Sequence, residues 1–245
     1  MPDLAPLKEL LIEPKHIVIT THHKPDGDAM GSSLGLFNYL SQKGHFVRVI
    51  TPSDYPSFLQ WLPNNPEVII YTEKPEESKE FIANADIIFC LDFNSLSRIN
   101  ELGDLVRDSK AIKVMIDHHL EPEGFDDFRH WTINACSTAQ LIYDFIVTIM
   151  DEKDLINKDV ATCLYTGIMT DSGSFRFPNV TANLHRIVAD LIEAGAQNWR
   201  IHQQVYDNAT EGRLKFLGYC LSNKLEVLRE FNTALITVSK DDIKK

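Results

Sequence analysis

IVITTHHKPDGDAMGS, residues 17–32, decides how the rest of the chain is read. Four apolar or β-branched residues stop abruptly at a polar run that carries two histidines, a proline and two aspartates. That is the pattern of a buried strand delivering a loop of functional side chains. Similar short apolar runs stand at 46–50, 68–71, 87–91 and 113–116. Between most of them lie helical or irregular connections. Residues 29–43 place Leu34, Phe37 and Leu40 on one face and close at Gly44, a helix end. Strands alternating with helices predict an α/β fold, a parallel sheet flanked by helices on both faces. After Asp117 the periodicity turns helical, with i, i+3, i+4 apolar spacing over 137–150, 157–171, 181–194 and 199–208. Residues 209–229 read as one polar connector helix. Residues 233–238 alternate like a first strand with no later partner. The expected division is therefore an α/β domain at 1–195, a helical connector at 196–229, and at 230–245 the start of a truncated, smaller substrate-binding domain.

The bulk numbers narrow the chemistry. A hydrophobic fraction of 44% over 245 residues supplies a packed core and excludes disorder. With 35 acids against 24 bases the net charge is −11, wrong for a protein that grips nucleic acid by phosphate neutralisation alone. An anionic substrate would need local positive charge, and bound metal is the simplest source. Cys90, Cys136, Cys163 and Cys220 lack zinc-ligand spacing and sit in apolar runs, as reduced core residues do. No basic start precedes a long apolar stretch, and no apolar run nears the roughly 18 residues of a membrane span. The expected protein is soluble and cytoplasmic.

In a parallel α/β sheet, ligands bind beyond the carboxyl ends of the strands. At those ends stand His22-His23-Lys24-Pro25-Asp26-Gly27-Asp28, then Asp92, then Asp117-His118-His119. A later helix delivers Asp171-Ser172-Gly173. Each piece has a plain reading. Asp26 and Asp28 suit a turn beside Pro25, Asp92 could cap a helix near Ser95, and Asp171 could simply end its own helix. Together they deliver carboxylates and imidazoles from separate segments to one sheet edge. Carboxylate oxygens with one or two imidazoles suit Mn²⁺ or Mg²⁺ better than zinc. Asp26 and Asp28, one residue apart, could serve two neighbouring ions, and Asp92 could bridge them.

These motifs resemble the DHH phosphoesterase family, whose name-giving triplet matches Asp117-His118-His119. The resemblance runs in order through THHKPDGDAMGS (21–32), Asp92 in IIFCLDFNSLSR, MIDHH, and TGIMTDSGSFRF (166–177), covering about 15–195. Length and order of elements look most like the bacterial oligoribonuclease and pAp-phosphatase branch, whose members also carry exopolyphosphatase-related and RecJ-like names. The resemblance implies two Mn²⁺ ions, with Mg²⁺ or Co²⁺ as substitutes. It implies His22, Asp26 and Asp92 as ligands of one ion, with His22 preferred to His23, and Asp28, Asp92, His118 and Asp171 as ligands of the other. His119 would contact the scissile phosphate, Asp117 would orient the neighbouring imidazole, and Ser32, Arg98 and Arg176 would lie near substrate. A metal-activated water would be the nucleophile. The GGGH segment by which that branch grips its nucleotide is absent from this sequence.

The expected function is hydrolysis of short oligoribonucleotides to mononucleotides, with 3′-phosphoadenosine 5′-phosphate as a second substrate. Other readings are a cyclic or linear dinucleotide phosphodiesterase, an exopolyphosphatase or pyrophosphatase, and a non-catalytic nucleotide-binding module. The expected partner is a short oligoribonucleotide or nucleotide, with no membrane; a homodimer is compatible with the resemblance.

Overall fold

The computed structural model describes residues 4–244. Its first compact unit ends at Ile201 and its second begins at His202. In chain order the first unit holds α1 (Ala5–Leu10), β1 (His16–Thr21), α2 (Gly27–Gln42), β2 (Phe46–Thr51), β3 (Val68–Ile70) and α3 (Pro75–Ala83). There follow β4 (Ile87–Leu91), α4 (Glu101–Asp108), β5 (Ile112–Asp117), β6 (Phe128–Trp131), α5 (Thr138–Asp144), α6 (Lys158–Asp171) and α7 (Ala182–Glu193). Helix α8 (Asn198–Tyr206) begins in this unit.

The six strands form one sheet in the order β3-β2-β1-β4-β5-β6, and every pairing is parallel. The apolar runs explain the centre of that order. β4 is buried at all five positions and β1 at all but His16, as strands covered on both faces must be. Alternate residues serve the two faces. Val18, Ile88 and Cys90 pack with Ile82, Leu102 and Val106 of α3 and α4. On the other face α2 and α5 lie against the sheet, and Phe89 meets Phe145 edge-on at 6.1 Å between ring centres.

Helices α2 and α6 pack so closely that side chains are excluded between them. A Cβ on Gly31 would lie 2.6 Å from the Cys163 carbonyl oxygen and 2.7 Å from the Gly167 nitrogen. Glycine at that position lets α2, which carries Asp28 in its first turn, approach α6, which ends at Asp171. The packing therefore fixes two of the expected ligands relative to each other.

Three details differ from the sequence reading. Strand β6, FRHW, was not expected, because its four residues carry neither an apolar run nor strict alternation. The helix expected over 137–150 is α-helical only to Asp144 and continues as a π-helix through Phe145–Ile149. The third lies in the second unit, where α9 (Glu211–Asn223) is followed by β7 (Leu225–Leu228) and β8 (Thr233–Ile236). The end of the expected connector helix is thus a strand, and it pairs antiparallel with β8 from Leu225↔Ile236 to Leu228↔Thr233. Asn232, left-handed at φ 47°, turns the hairpin. Among the described residues no helix is long and apolar enough to cross a membrane.

Candidate metal centre

Strands β1 and β4 are neighbours although β2 follows β1 in sequence, so the strand order reverses between them, where α/β sheets open a crevice. The polar run after β1, Asp92 directly after β4, and the Asp117-His118-His119 triplet at the end of β5 all stand there. Asp92 donates its backbone N–H to the Ile116 carbonyl and holds φ at 64°, a conformation few non-glycine residues adopt. Asp26 caps α2, its Oδ1 accepting from the Asp28 and Ala29 nitrogens at 2.9 and 3.0 Å. The turn reading of PDGD and the ligand reading are thus both compatible with its position.

Two donor sets converge. His22, Asp26 and Asp92 form one and Asp28, His118 and Asp171 the other, while Asp92, His118 and His119 make a third group that overlaps both, the donor atoms of each lying within 4.8 Å of one another. Asp92 belongs to both surroundings, with Oδ2 3.5 Å from His22 Nε2 and Oδ1 3.5 Å from His118 Nε2. His22 Nε2 lies 3.9 Å from Asp26 Oδ1, and His118 Nε2 lies 3.5 Å from Asp171 Oδ2 and 3.9 Å from Asp28 Oδ2. These separations are mostly long for good hydrogen bonds. They match ligand atoms around a cation at about 2.1 Å, which stand roughly 3.0–4.2 Å apart in octahedral geometry. The oxygen-rich donor set fits hard divalent cations such as Mn²⁺ or Mg²⁺.

The charges agree with that fit. Burial would lower the His22 pKa, but its contacts with Asp26 and Asp92 outweigh this and push it up to about 10. Burial also opposes protonation of His118, and Asp92 and Asp171 overcome it. Burial and then repulsion from Asp92 and Asp171 raise Asp28, while Asp171 is lifted to about 6, chiefly by burial. The metal-free centre thus holds protons that a cation must displace, because imidazole ligates only when neutral. Both histidine pKa values are raised, so the protons are bound below them and lost above. Loading Mn²⁺ at pH 7.5 is expected to release at least the His22 proton, and apparent affinity should rise with pH through the neutral range. Calorimetry in buffers of different ionisation enthalpy reads this directly; a buffer-independent heat would contradict it.

The remaining expected residues separate clearly. Asp117, fully buried, accepts from His119 Nδ1 at 2.7 Å rather than from His118, so it orients the second histidine of the triplet and not the first. His119 lies beside the two donor sets, its Nδ1 3.8 Å from Asp92 Oδ1. Ser32 is a correction: it is wholly buried in α2 with its hydroxyl bonded to the Ala29 carbonyl, because it lies on the α2 face turned into the fold. Arg98 is exposed, and its carbonyl accepts from the His23 nitrogen at 2.8 Å, tying the two strand-end loops together. Arg176 is exposed and spends its Nε on the Gly173 carbonyl. Sequence reasoning missed Thr138 and Ala139, whose backbone nitrogens donate to Asp28 Oδ2 at 2.6 Å and Oδ1 at 2.9 Å. Their only sequence signal is the cap pattern Ser137-Thr-Ala-Gln140.

The model of the DHH family N-terminal domain matches residues 16–168, more than half of the chain. This chain belongs to the DHH family. Among DHH relatives, the bifunctional oligoribonuclease and PAP phosphatase NrnA of Thermus thermophilus is 34% identical over 181 residues, 74% of this chain and 51% of that protein. The protein of the same name from Bacillus subtilis is 27% identical over 232 residues, 94% of this chain and 68% of its own length. The chain thus spans about half the length of the Thermus relative. In structure it resembles an exopolyphosphatase-related protein from Bacteroides fragilis, at TM-score 0.91 and 39% identity, covering 96% of this chain and 68% of that one. A putative family II inorganic pyrophosphatase from Methanococcus jannaschii shares the fold, at TM-score 0.59 and 16% identity over 93% of this chain and 74% of that one.

Proposed function

We propose that this chain hydrolyses phosphate ester bonds in short oligoribonucleotides, and in 3′-phosphoadenosine 5′-phosphate, with two divalent cations of the Mn²⁺ type. One observation carries the reading: two donor sets meet at Asp92, whose two oxygens face one set each. The names of the NrnA relatives supply the substrate class.

The geometry supports a division of labour. His22, Asp26 and Asp92 would hold one cation, and Asp28, His118 and Asp171, together with Asp92, would hold the other. Bound divalent cations supply Lewis-acid stabilisation of phosphate oxygens and acidify water. Without them, Asp26, Asp28, Asp92 and Asp171 would repel a phosphate. Asp117, by accepting from Nδ1, leaves Nε2 of His119 as the ring nitrogen available to a phosphate oxygen. Arg98 and His23 are exposed and can meet the rest of a short substrate.

The test is release of mononucleotide from an end-labelled diribonucleotide, and of inorganic phosphate from 3′-phosphoadenosine 5′-phosphate, with Mn²⁺ and with chelator. Turnover of either that chelator abolishes is expected. Equal rates in chelator would sink the two-cation reading, and inertness toward both compounds would sink the substrate class.

A further inference from the structure

The segment CSTAQ, residues 136–140, offers no carboxylate or imidazole, yet it touches two of the three carboxylates that face His118, Asp28 and Asp92. Its turn is set by a reciprocal cap: Ser137 Oγ accepts from the Gln140 nitrogen, and Gln140 Oε1 accepts from the Cys136 nitrogen at 2.9 Å. This pins the first turn of α5 with two backbone N–H groups, those of Thr138 and Ala139, on the two oxygens of Asp28. From the same turn the Thr138 hydroxyl donates to Asp92 Oδ1 at 2.9 Å. Thr138 and Asp28 are essentially inaccessible, and Asp92 is 2% exposed, so water does not replace these bonds.

A carboxylate can rotate about its Cβ–Cγ bond, and an aspartate shared between two cations must present one oxygen to each. The Thr138 hydroxyl restricts that rotation from the side of His118. Oδ1 then keeps its 3.5 Å separation from His118 while Oδ2 keeps its 3.5 Å separation from His22. Gly167 belongs to the same arrangement: a Cβ there would lie 2.9 Å from Asp28 Oδ1 and 2.6 Å from Ala139 Cβ. Helix α6 therefore leaves room for the bonds that α5 makes.

We infer that Thr138 is a positioning residue of the cation centre, which orients Asp92 through its hydroxyl and Asp28 through its backbone and so sets the affinity of the His118–Asp28–Asp171 set. The inference rests on the two-cation reading above. It separates the two contributions, because replacing the side chain removes only the bond to Asp92 and leaves the backbone bonds to Asp28.

The experiment titrates metal-free protein with Mn²⁺, counting free ion by electron paramagnetic resonance, for the parent, Thr138→Val and Thr138→Ser. The parent is expected to bind two ions. Thr138→Val should bind both ions more weakly, that of the His118–Asp28–Asp171 set by about 10- to 100-fold, the usual cost of losing a group that orients a metal ligand. Its kcat at low Mn²⁺ should fall by a similar factor with KM unchanged, and Thr138→Ser should restore both. Melting of the metal-free proteins shows whether the valine variant folds. Should it not, Thr138→Ala, which also lacks the hydroxyl, takes its place. Two parental-affinity ions in the variant without the hydroxyl would overturn the inference, as would a serine variant no better than it. A parent that binds no Mn²⁺ would instead overturn the two-cation reading itself.

Discussion

Asp92→Asn is expected to lower kcat/KM on a labelled diribonucleotide by about a thousandfold or more at saturating Mn²⁺, and to weaken binding of both ions. No other residue of the centre faces both donor sets through separate oxygens. Burial opposes its ionisation, yet His118 and His22 hold its carboxyl well below the usual carboxylate range, so it is charged throughout the working range. Asparagine keeps the size and the left-handed backbone preference at φ 64°, and its amide oxygen can still accept from Thr138. What it loses is the charge, and with it one oxygen able to ligate, since the amide nitrogen only donates. Several kcal/mol of charge stabilisation in the transition state depend on the cations, and each 1.4 kcal/mol is tenfold in rate. The measurement pairs steady-state kinetics with a Mn²⁺ titration and a melt of the metal-free protein. A variant within tenfold of the parent would show that the two donor sets do not act as one centre.

Why the centre could be read before the fold was known follows from where its residues lie. The strands before them, IVIT, IIFCL and KVMI, are apolar runs with sharp polar ends, and parallel topology sends those ends to one edge. The strand order β1-β4-β5 then sets His22, Asp26, Asp28, Asp92 and His118 beside one another at that edge. Asp171 required more, because it arrives from the far end of a helix whose position depends on the glycine contact at Gly31. Gly27, Gly31 and Gly35 stand at helical spacing and all meet α6, but the spacing does not say which helix they meet. Thr138 was hidden for a related reason: its bonds to Asp28 and Asp92 span 110 and 46 residues, and nothing local demands a hydroxyl there. The partner of Asp117 was misread because i, i+1 and i, i+2 neighbours at a strand end differ only in the local turn. β6 and β7 were missed because four residues are too few to establish a period against a helical or irregular background.

Asp117→Asn should separate metal binding from turnover. Asp117 Oδ1 accepts from His119 at 2.7 Å, while its other oxygen is buried and has no hydrogen-bond partner among the described residues. An ionised carboxylate can only accept, so it requires the proton on Nδ1 and stabilises a ring carrying a second proton on Nε2. An amide of the same shape accepts through its oxygen or donates through its nitrogen, so it fixes neither tautomer and adds no negative charge behind the ring. No donor of the two cation sets is removed by this change, since Asp117 lies behind His119 and outside both. The expected result is two Mn²⁺ bound at parental affinity, with kcat on the diribonucleotide lower by about 10²- to 10⁴-fold, the range spanned by loss of a positioned proton donor or its correct tautomer. Asp92→Asn loses cations and rate together, whereas Asp117→Asn should lose rate alone. If the Asp117 variant instead sheds a cation, His119 is a ligand whose orientation the carboxylate maintains, and the phosphate must be met by another group.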